Sequence, residues 1–415
     1  MPDKAYDVVV IGCGSGGAVA GRFAALNGAK TLIVEKKRYI GFPEHDFVSI
    51  CYSWSDIENL MGFKMDTGCI SSRAEEMAYF APSGRRGKGL RMKDSFWVNR
   101  AAFERFLATE AVQAGAKIMV NSSIVDLVKE KGQVKKVVVK SAHETITIDC
   151  SVVIGASGAY ANIPRMADLT PPKPQGVAMA YEFVGVKSLH PEEPRSYEIY
   201  TGAYHGGLWA QGGLVSPHAD GRVVVGTAWA LGMGKKPGRI TKIVNDVKNY
   251  LQKIGKYDFD KASPISMRAG IGAGGWSEEV HHKIVADGVM LIGDSAGKPL
   301  IGCQYGAPGM TNAMFTGRMA GEAAATQIKA GDVREENFVR EYIERVDETS
   351  RAERPRIMEA RQCGMQLGAL SADKLEKAIA EIGEELAALR LYDRGALAVS
   401  GCLKPIQDWL RREAK

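Results

Sequence analysis

Gly12, Gly14 and Gly17 lie in Gly12-Cys13-Gly14-Ser15-Gly16-Gly17, after the unbroken apolar run Asp7-Val8-Val9-Val10-Ile11 and before a segment of helical period that reaches Gly28. A buried strand, a glycine turn and a helix N-terminus in that order suit a pyrophosphate. The first glycine permits the tight turn, the second lets backbone approach the phosphates, and the third lets the helix pack close to the strand. The helix end adds free amides and a positive dipole. The next apolar run, Thr31 to Val34, ends at Glu35 with Lys36 beside it. A carboxylate there, about twenty residues past the turn, can accept both hydroxyls of a ribose.

A second strand-end pattern lies far downstream. Val289-Met290-Leu291-Ile292 ends in Gly293-Asp294-Ser295-Ala296-Gly297, ahead of a small-residue helix starting near Gly309 and Met310. Asp294 can accept from a ribityl hydroxyl, and the helix N-terminus can stabilise charge on an isoalloxazine ring. An NAD domain has no use for this second site. Together the two patterns point to FAD.

Other residues carry weaker signals. His45 and Asp46, in Ile40-Gly41-Phe42-Pro43-Glu44-His45-Asp46, combine an imidazole and a carboxylate suited to proton delivery beside a flavin; a surface turn is the alternative. Cys51, Cys69 and Cys303 read as small buried hydrophobes, because no partner cysteine lies near any of them. Tyr200, Tyr204, Trp209 and Trp229 suit the core and inner face of a sheet, with some of them lining an apolar ligand cavity.

The elements that must position these residues follow from pattern. Ala101 to Gly115 has helical period, and short strands are expected over Lys117 to Val120, Ile124 to Val128, Val134 to Val139, Thr145 to Ile148 and Val152 to Gly155, after an irregular stretch from Gly41 to about Arg73. From Pro171 to about Val280 the chain turns rich in aromatics, proline and glycine, with alternating strands at Glu198 to Tyr200 and Arg222 to Thr227. An antiparallel sheet over a pocket has this character. Beyond Gly331 the period is helical, and Ser371-Ala372-Asp373-Lys374 reads as the N-terminal cap of a Leu375 to Leu391 helix.

Bulk properties set outer limits. With 415 residues, 45% hydrophobic and 25% charged, the chain has the profile of a globular protein large enough to bury a sizeable cofactor. No apolar run approaches a membrane span, and no signal-peptide pattern opens the sequence, so a cytoplasmic setting is expected. The 7 cysteines are scattered without a CxxC pair, which argues against an iron-sulfur cluster or a structural zinc site. A net charge of +6 is modest for this length and gives no reason to expect nucleic-acid binding. One basic cluster, Arg85, Arg86, Lys88, Arg91 and Lys93, falls in a glycine-rich turn and reads as a solvated hairpin, with an anion, lipid-surface or redox-partner patch as the alternative.

The glycine turn with Glu35, the Val98-Asn99-Arg100-Ala101-Ala102-Phe103-Glu104 stretch, Gly155-Ala156-Ser157-Gly158 and the Gly293-Asp294 pattern together resemble the geranylgeranyl reductase branch of the para-hydroxybenzoate hydroxylase-type flavoproteins, with FixC-like dehydrogenases as neighbours. The resemblance covers nearly the whole chain, including Ser371 to Lys377. It implies an α/β fold in which a Rossmann-like, glutathione-reductase-type FAD domain (1–80, 98–170 and 281–330) is interrupted by an antiparallel-sheet substrate domain (81–97 and 171–280), followed by a helical region (331–415). It also implies that Arg100 and Gly158 lie against FAD, that Asp294 holds the ribityl chain, and that the Lys298 to Tyr305 loop borders the flavin.

Three departures from the family pattern stand out. Ser157 replaces an aspartate, which makes direct reduction by NADPH doubtful. Only Trp209 survives of an aromatic stretch beside the lipid. His45-Asp46 stands where the relatives carry a cysteine. The resemblance implies a reductase or dehydrogenase acting on a carbon-carbon bond of an apolar, prenyl-type substrate by hydride transfer at the flavin N5. Tyr204, Trp209 and Tyr305 are the expected pocket residues, a ferredoxin or similar carrier the expected electron donor, and peripheral membrane contact an accompanying expectation. The rivals are a FixC-like flavoprotein passing electrons to a quinone or a protein partner, and an aromatic monooxygenase.

Overall fold

The computed structural model describes residues 5–42, 50–51, 54–142, 144–159, 162–172, 174–201, 213–230, 240–273, 283–297, 309–349, 351–352, 354–392 and 401–413. The apolar runs of the two strand-end patterns lie side by side. Ala5–Ile11 pairs in parallel with Thr31–Val34 on one side and with Thr145–Gly155 on the other; Lys117–Met119 and Val289–Leu291 extend the parallel sheet outward. Val8, Val9, Val10, Val152 and Val153 are fully buried. That burial on both faces is why these strands read as continuous apolar runs instead of alternating ones. Thr145–Gly155 is one strand, where sequence pattern suggested two; its first half pairs with a Ser123–Glu130 and Gln133–Lys140 hairpin.

Two helices cover one face of this sheet. Ser15–Leu26 packs along Met310–Ala330. Small residues allow the close crossing: a Cβ on Gly16 would meet the Ala313 carbonyl oxygen at 2.8 Å, and Gly317 and Gly321 lie against the Gly16 and Ala20 carbonyls.

The second sheet has eight strands, with Ser263–Ala273 at one edge and Ile50–Cys51 at the other. Most neighbours are antiparallel, but Ser196–Tyr200 runs parallel to Ile70–Phe80. The chain crosses the cofactor domain between those two strands, and the crossover permits the parallel pairing. Strand membership also corrects the division drawn from sequence. Ile50–Cys51 and Ile70–Phe80, assigned to the cofactor segment 1–80, are hydrogen-bonded into the second sheet. The stretch expected to be irregular also holds a helix, Trp54–Met61, with Trp54, Ile57 and Met61 buried at helical spacing.

Each face of the second sheet has its own cover. Val244, Val247 and Leu251 of the Ile240–Lys253 helix pack over Phe80, Tyr200, Val215 and Val225. Beneath that helix, fully buried Glu198 accepts hydrogen bonds from Tyr200 at 2.8 Å and Tyr257 at 3.0 Å, with Lys256 Nζ at 3.4 Å. Burial pushes the Glu198 pKa up, opposed by Lys256 and both phenols. Tyr200 therefore belongs to the core. The opposite face, through Met77, Tyr79, Tyr197 and Ile199, packs on C-terminal helices including Ala372–Tyr392 and Leu403–Glu413.

The basic cluster is largely solvated, as expected, but three of its cations also have acidic partners. Arg85 Nη2 donates to the Glu376 carbonyl at 2.6 Å, Ser83 Oγ donates to Glu376 Oε2 at 3.0 Å, and Lys88 pairs with Glu384. Arg86 pairs with buried Glu76 and approaches Glu193 at 3.3 Å. The hairpin clamps the C-terminal helices to the sheet. Sequence could not show this because the acids that meet Arg85 and Lys88, Glu376 and Glu384, lie nearly three hundred residues further along the chain.

Candidate functional site

The strand Ala5–Ile11 delivers Gly12 into a turn with φ of +104°, where a Cβ would meet the Ala156 carbonyl oxygen at 2.6 Å. Gly17, one turn into the helix, lies so close that a Cβ would overlap the Gly12 carbonyl oxygen. These two glycines serve packing. Gly14 differs: the nearest atom to a Cβ there is Glu104 Oε1 at 3.8 Å, so the space above it is open to a ligand. Gly14 caps the helix without a side chain, and the first turn carries no acidic residue. Ser15 Oγ is buried there without a hydrogen-bond partner among the described residues. The helix end thus presents amides and a hydroxyl with no side-chain partner among the described residues.

Glu35 is 6% exposed, and backbone amides hold both of its oxygens: Cys13 donates to Oε2 at 2.7 Å and Lys37 to Oε1 at 2.9 Å. Each oxygen keeps lone-pair capacity for a ribose hydroxyl. Burial and the Glu35 and Glu104 carboxylates push the Cys13 thiol far up, so it stays protonated.

Arg100 is the first residue of the Arg100–Gln113 helix, whose N-cap Asn99 accepts from the Ala102 amide at 2.8 Å. Its Nε donates to Glu104 Oε1 at 2.8 Å. One cleft of about 330 Å³ is lined by Gly12, Gly14, Glu35, Lys36, Arg100 and Gly158, together with Lys37, Glu104, Ser122 and Asn162. Sequence reasoning gave no role to those last four. Glu104 was discoverable, one helical turn after Arg100; Ser122 was not, since the Ser122 amide reaches the Glu35 carbonyl only through strand packing.

Across the cleft, Ser157 Oγ is buried with no partner among the described residues. Gly158 has φ of +78°, and its carbonyl accepts from Ser295 Oγ at 3.2 Å, which ties this wall to the Gly293–Ala296 turn. The Gly293 amide donates to Thr316 Oγ1 at 3.2 Å, and Asp294 sits partly buried in that turn. Gly309 caps the Met310–Ala330 helix at φ of +67°, and this second helix N-terminus has no side-chain cap among the described residues. His45, Asp46, Tyr204, Trp209 and Tyr305 lie outside the described residues.

These groups fit FAD. Two bare helix ends, a fixed carboxylate, an open glycine turn and orphaned hydroxyls meet the needs of diphosphate, ribose and ribityl groups. The free cysteines Cys13, Cys69, Cys150, Cys363 and Cys402 are all buried, and burial pushes the Cys69 thiol up to about 12. None of them has the character of a redox thiol. Among the described residues no helix is long and apolar enough to cross a membrane.

Comparison with known proteins agrees with the geometry. The family model described as FAD dependent oxidoreductase (DAO) matches residues 41–323. A digeranylgeranylglycerophospholipid reductase from Methanocaldococcus jannaschii is 32% identical over 82% of this chain and 82% of that one. The enzyme of that name from Methanothrix thermoacetophila is 29% identical over 97% of both chains. Among solved structures, a geranylgeranyl bacteriochlorophyll reductase-like protein from Thermoplasma acidophilum superposes with a TM-score of 0.78 at 23% identity, covering 98% of this chain and 99% of the other. That last likeness speaks for the fold alone.

Proposed function

Because the chain belongs to the FAD dependent oxidoreductase family, within its geranylgeranyl reductase branch, we propose that it reduces carbon-carbon double bonds in the prenyl chains of a lipid, with FAD as its cofactor. The observation that carries this reading is the nearly full-length kinship with digeranylgeranylglycerophospholipid reductases. Bound FAD supplies the hydride. The chain supplies the cavity that orients an isoprene unit, excludes water and brings up a proton.

The second sheet has a surface suited to that cavity. Ala180 pairs with Gly226 on one side and Arg268 on the other, so the three share a face. That face lies opposite the one covered by the Ile240–Lys253 helix, and it is the face proposed to meet the apolar chain. Trp209, Tyr204 and Tyr305 complete the proposed wall, and His45 with Asp46 is the proposed proton source. Gly12, Gly14, Glu35, Lys36, Arg100, Gly158, Gly293, Asp294, Gly309 and Met310 are the proposed cofactor contacts, with Gly17 packed behind them.

A ferredoxin or other small carrier is the proposed donor, since Ser157 offers no carboxylate for handling NADPH. The lipid would be met at a membrane surface. The test is anaerobic incubation of dithionite-reduced protein with digeranylgeranylglycerophospholipid, followed by mass spectrometry. A gain of two hydrogens per double bond supports the reading. Absence of that gain from FAD-loaded, reduced protein overturns it.

A further inference from the structure

The ion pair beside the glycine turn is arranged against the stability of its own helix. Arg100 opens the Arg100–Gln113 helix and Glu104 follows one turn later, with no acidic residue in the first turn. A cation at a helix N-terminus opposes the dipole, and an acid placed C-terminal to its basic partner is the weaker order for an i,i+4 pair. Helix stability therefore gives no reason for these two residues in these places. Both of them line the cofactor cleft.

Glu104 is 5% exposed, and its Oε1 is the atom nearest to a Cβ built on Gly14, at 3.8 Å. A carboxylate in that position repels a diphosphate brought onto the open glycine. Its hydrogen bond supplies the opposing effect. Oε1 accepts from Arg100 Nε at 2.8 Å, and the Arg100 side chain makes no other hydrogen bond among the described residues. A guanidinium carries five N–H donors in a planar fork, so a grip on Nε fixes the plane and leaves both terminal nitrogens unengaged. Such a fork can hold two phosphate oxygens at once.

We propose that Glu104 is a positioning residue, which holds Arg100 by Nε and keeps its two terminal nitrogens available to the diphosphate of FAD. The proposal rests on FAD being the cofactor and is independent of which lipid is reduced. It gives Glu104 an effect whose sign depends on Arg100. With the arginine present, orientation of the guanidinium outweighs repulsion between carboxylate and phosphate. With the arginine removed, only the repulsion remains.

The experiment is a double-mutant cycle on the full-chain holoprotein: wild type, Glu104→Ala, Arg100→Ala and the double variant are loaded with excess FAD and diluted, and FAD release is followed by flavin fluorescence. Tm at saturating FAD is measured alongside. Glu104→Ala should speed release roughly tenfold in the wild-type chain. In the Arg100→Ala chain the same substitution should slow release, by about two- to fivefold. Glu104→Gln, which keeps an acceptor for Nε, should hold FAD far better than Glu104→Ala. Faster release of equal size in both backgrounds, with a lowered Tm, would assign Glu104 to the fold and overturn the proposal. Slower release from Glu104→Ala in the wild-type chain would overturn it too, because repulsion would then dominate throughout. A wild-type chain that takes up no FAD would overturn the cofactor assignment, and the proposal with it.

Discussion

The Cys13 amide donates to Glu35 Oε2 at 2.7 Å, and this contact joins the glycine turn to the end of the neighbouring strand. It means that the phosphate-facing and ribose-facing parts of the cleft are one rigid unit before any ligand arrives. Preorganisation of this kind reduces the ordering cost of binding. Glu35 thus holds the turn, in addition to the cofactor contact proposed for it.

Glu35→Ala should therefore weaken FAD binding by more than the loss of its ribose contacts. The amides of Cys13 and Lys37 both lose their acceptor, and hydrogen bonds to a charged group are worth about 1.5–3 kcal/mol each. A rise of roughly ten- to a hundredfold in the FAD dissociation constant is expected. Fluorescence titration checks it, and Glu35→Gln should fall between the two. An unchanged constant in the alanine variant would remove Glu35 from the site.

The three glycines of the turn should respond differently to the same methyl group. Gly12→Ala places a Cβ 2.6 Å from the Ala156 carbonyl oxygen at a positive φ, so it should lower Tm sharply. Gly17→Ala should do likewise, through the Gly12 carbonyl. Gly14→Ala has φ of −77° and no close neighbour, so it should fold normally and lose FAD by blocking the approach of the phosphates. Thermal melts beside flavin absorbance separate the outcomes. A Gly14→Ala protein that is folded and fully yellow would contradict the assignment.

His218 should give the protein an acid-sensitive limb. It is 5% exposed, stacks near Trp97 at 5.3 Å between ring centroids, and neither ring nitrogen has a partner among the described residues. Burial lowers its pKa from 6.5 to about 4, with Arg222 and Arg195 adding to the effect and Asp220 opposing it. In this window the unfolded chain binds the proton more readily than the folded one. Its contribution is thus full above pH 6.5 and lost as pH falls toward 4, by about 3 kcal/mol in total. His218→Phe should flatten that part of the stability profile. Denaturant midpoints at pH 7 and pH 5 measure it; an equal drop in wild type and variant would assign the acid limb to other groups.

The clamp between the basic hairpin and the C-terminal helices should depend on close backbone packing more than on charge. Gly383→Val would put a Cβ 3.0 Å from the Lys88 amide and force the hairpin away, at a cost of about 1–3 kcal/mol. Lys88→Ala should cost much less, because the lysine side chain is largely exposed and solvent screens the pair. Hydrogen exchange in the Ala372–Tyr392 helix reads both effects. Comparable loss of protection in the two variants would show that charge dominates after all.

The cofactor half of this protein was legible in sequence because its signals are local. A buried parallel strand is apolar without interruption, the turn after it needs glycines at fixed spacing, and the acid that follows is set by the length of one helix. Gly12, Gly14, Gly17, Glu35 and Asp294 were singled out on those grounds, and Gly12, Gly14 and Glu35 line one cleft. Tertiary structure decided what depended on distant partners. Ile70–Phe80 belongs to the second sheet because it pairs with Leu90–Val98 and Ser196–Tyr200, one neighbour local and the other more than a hundred residues away. Arg85 and Lys88 of the basic hairpin meet acids near the other end of the chain, Glu376 and Glu384. Charges carry no period in sequence that names their partners, so only the packed chain reveals which of them meet.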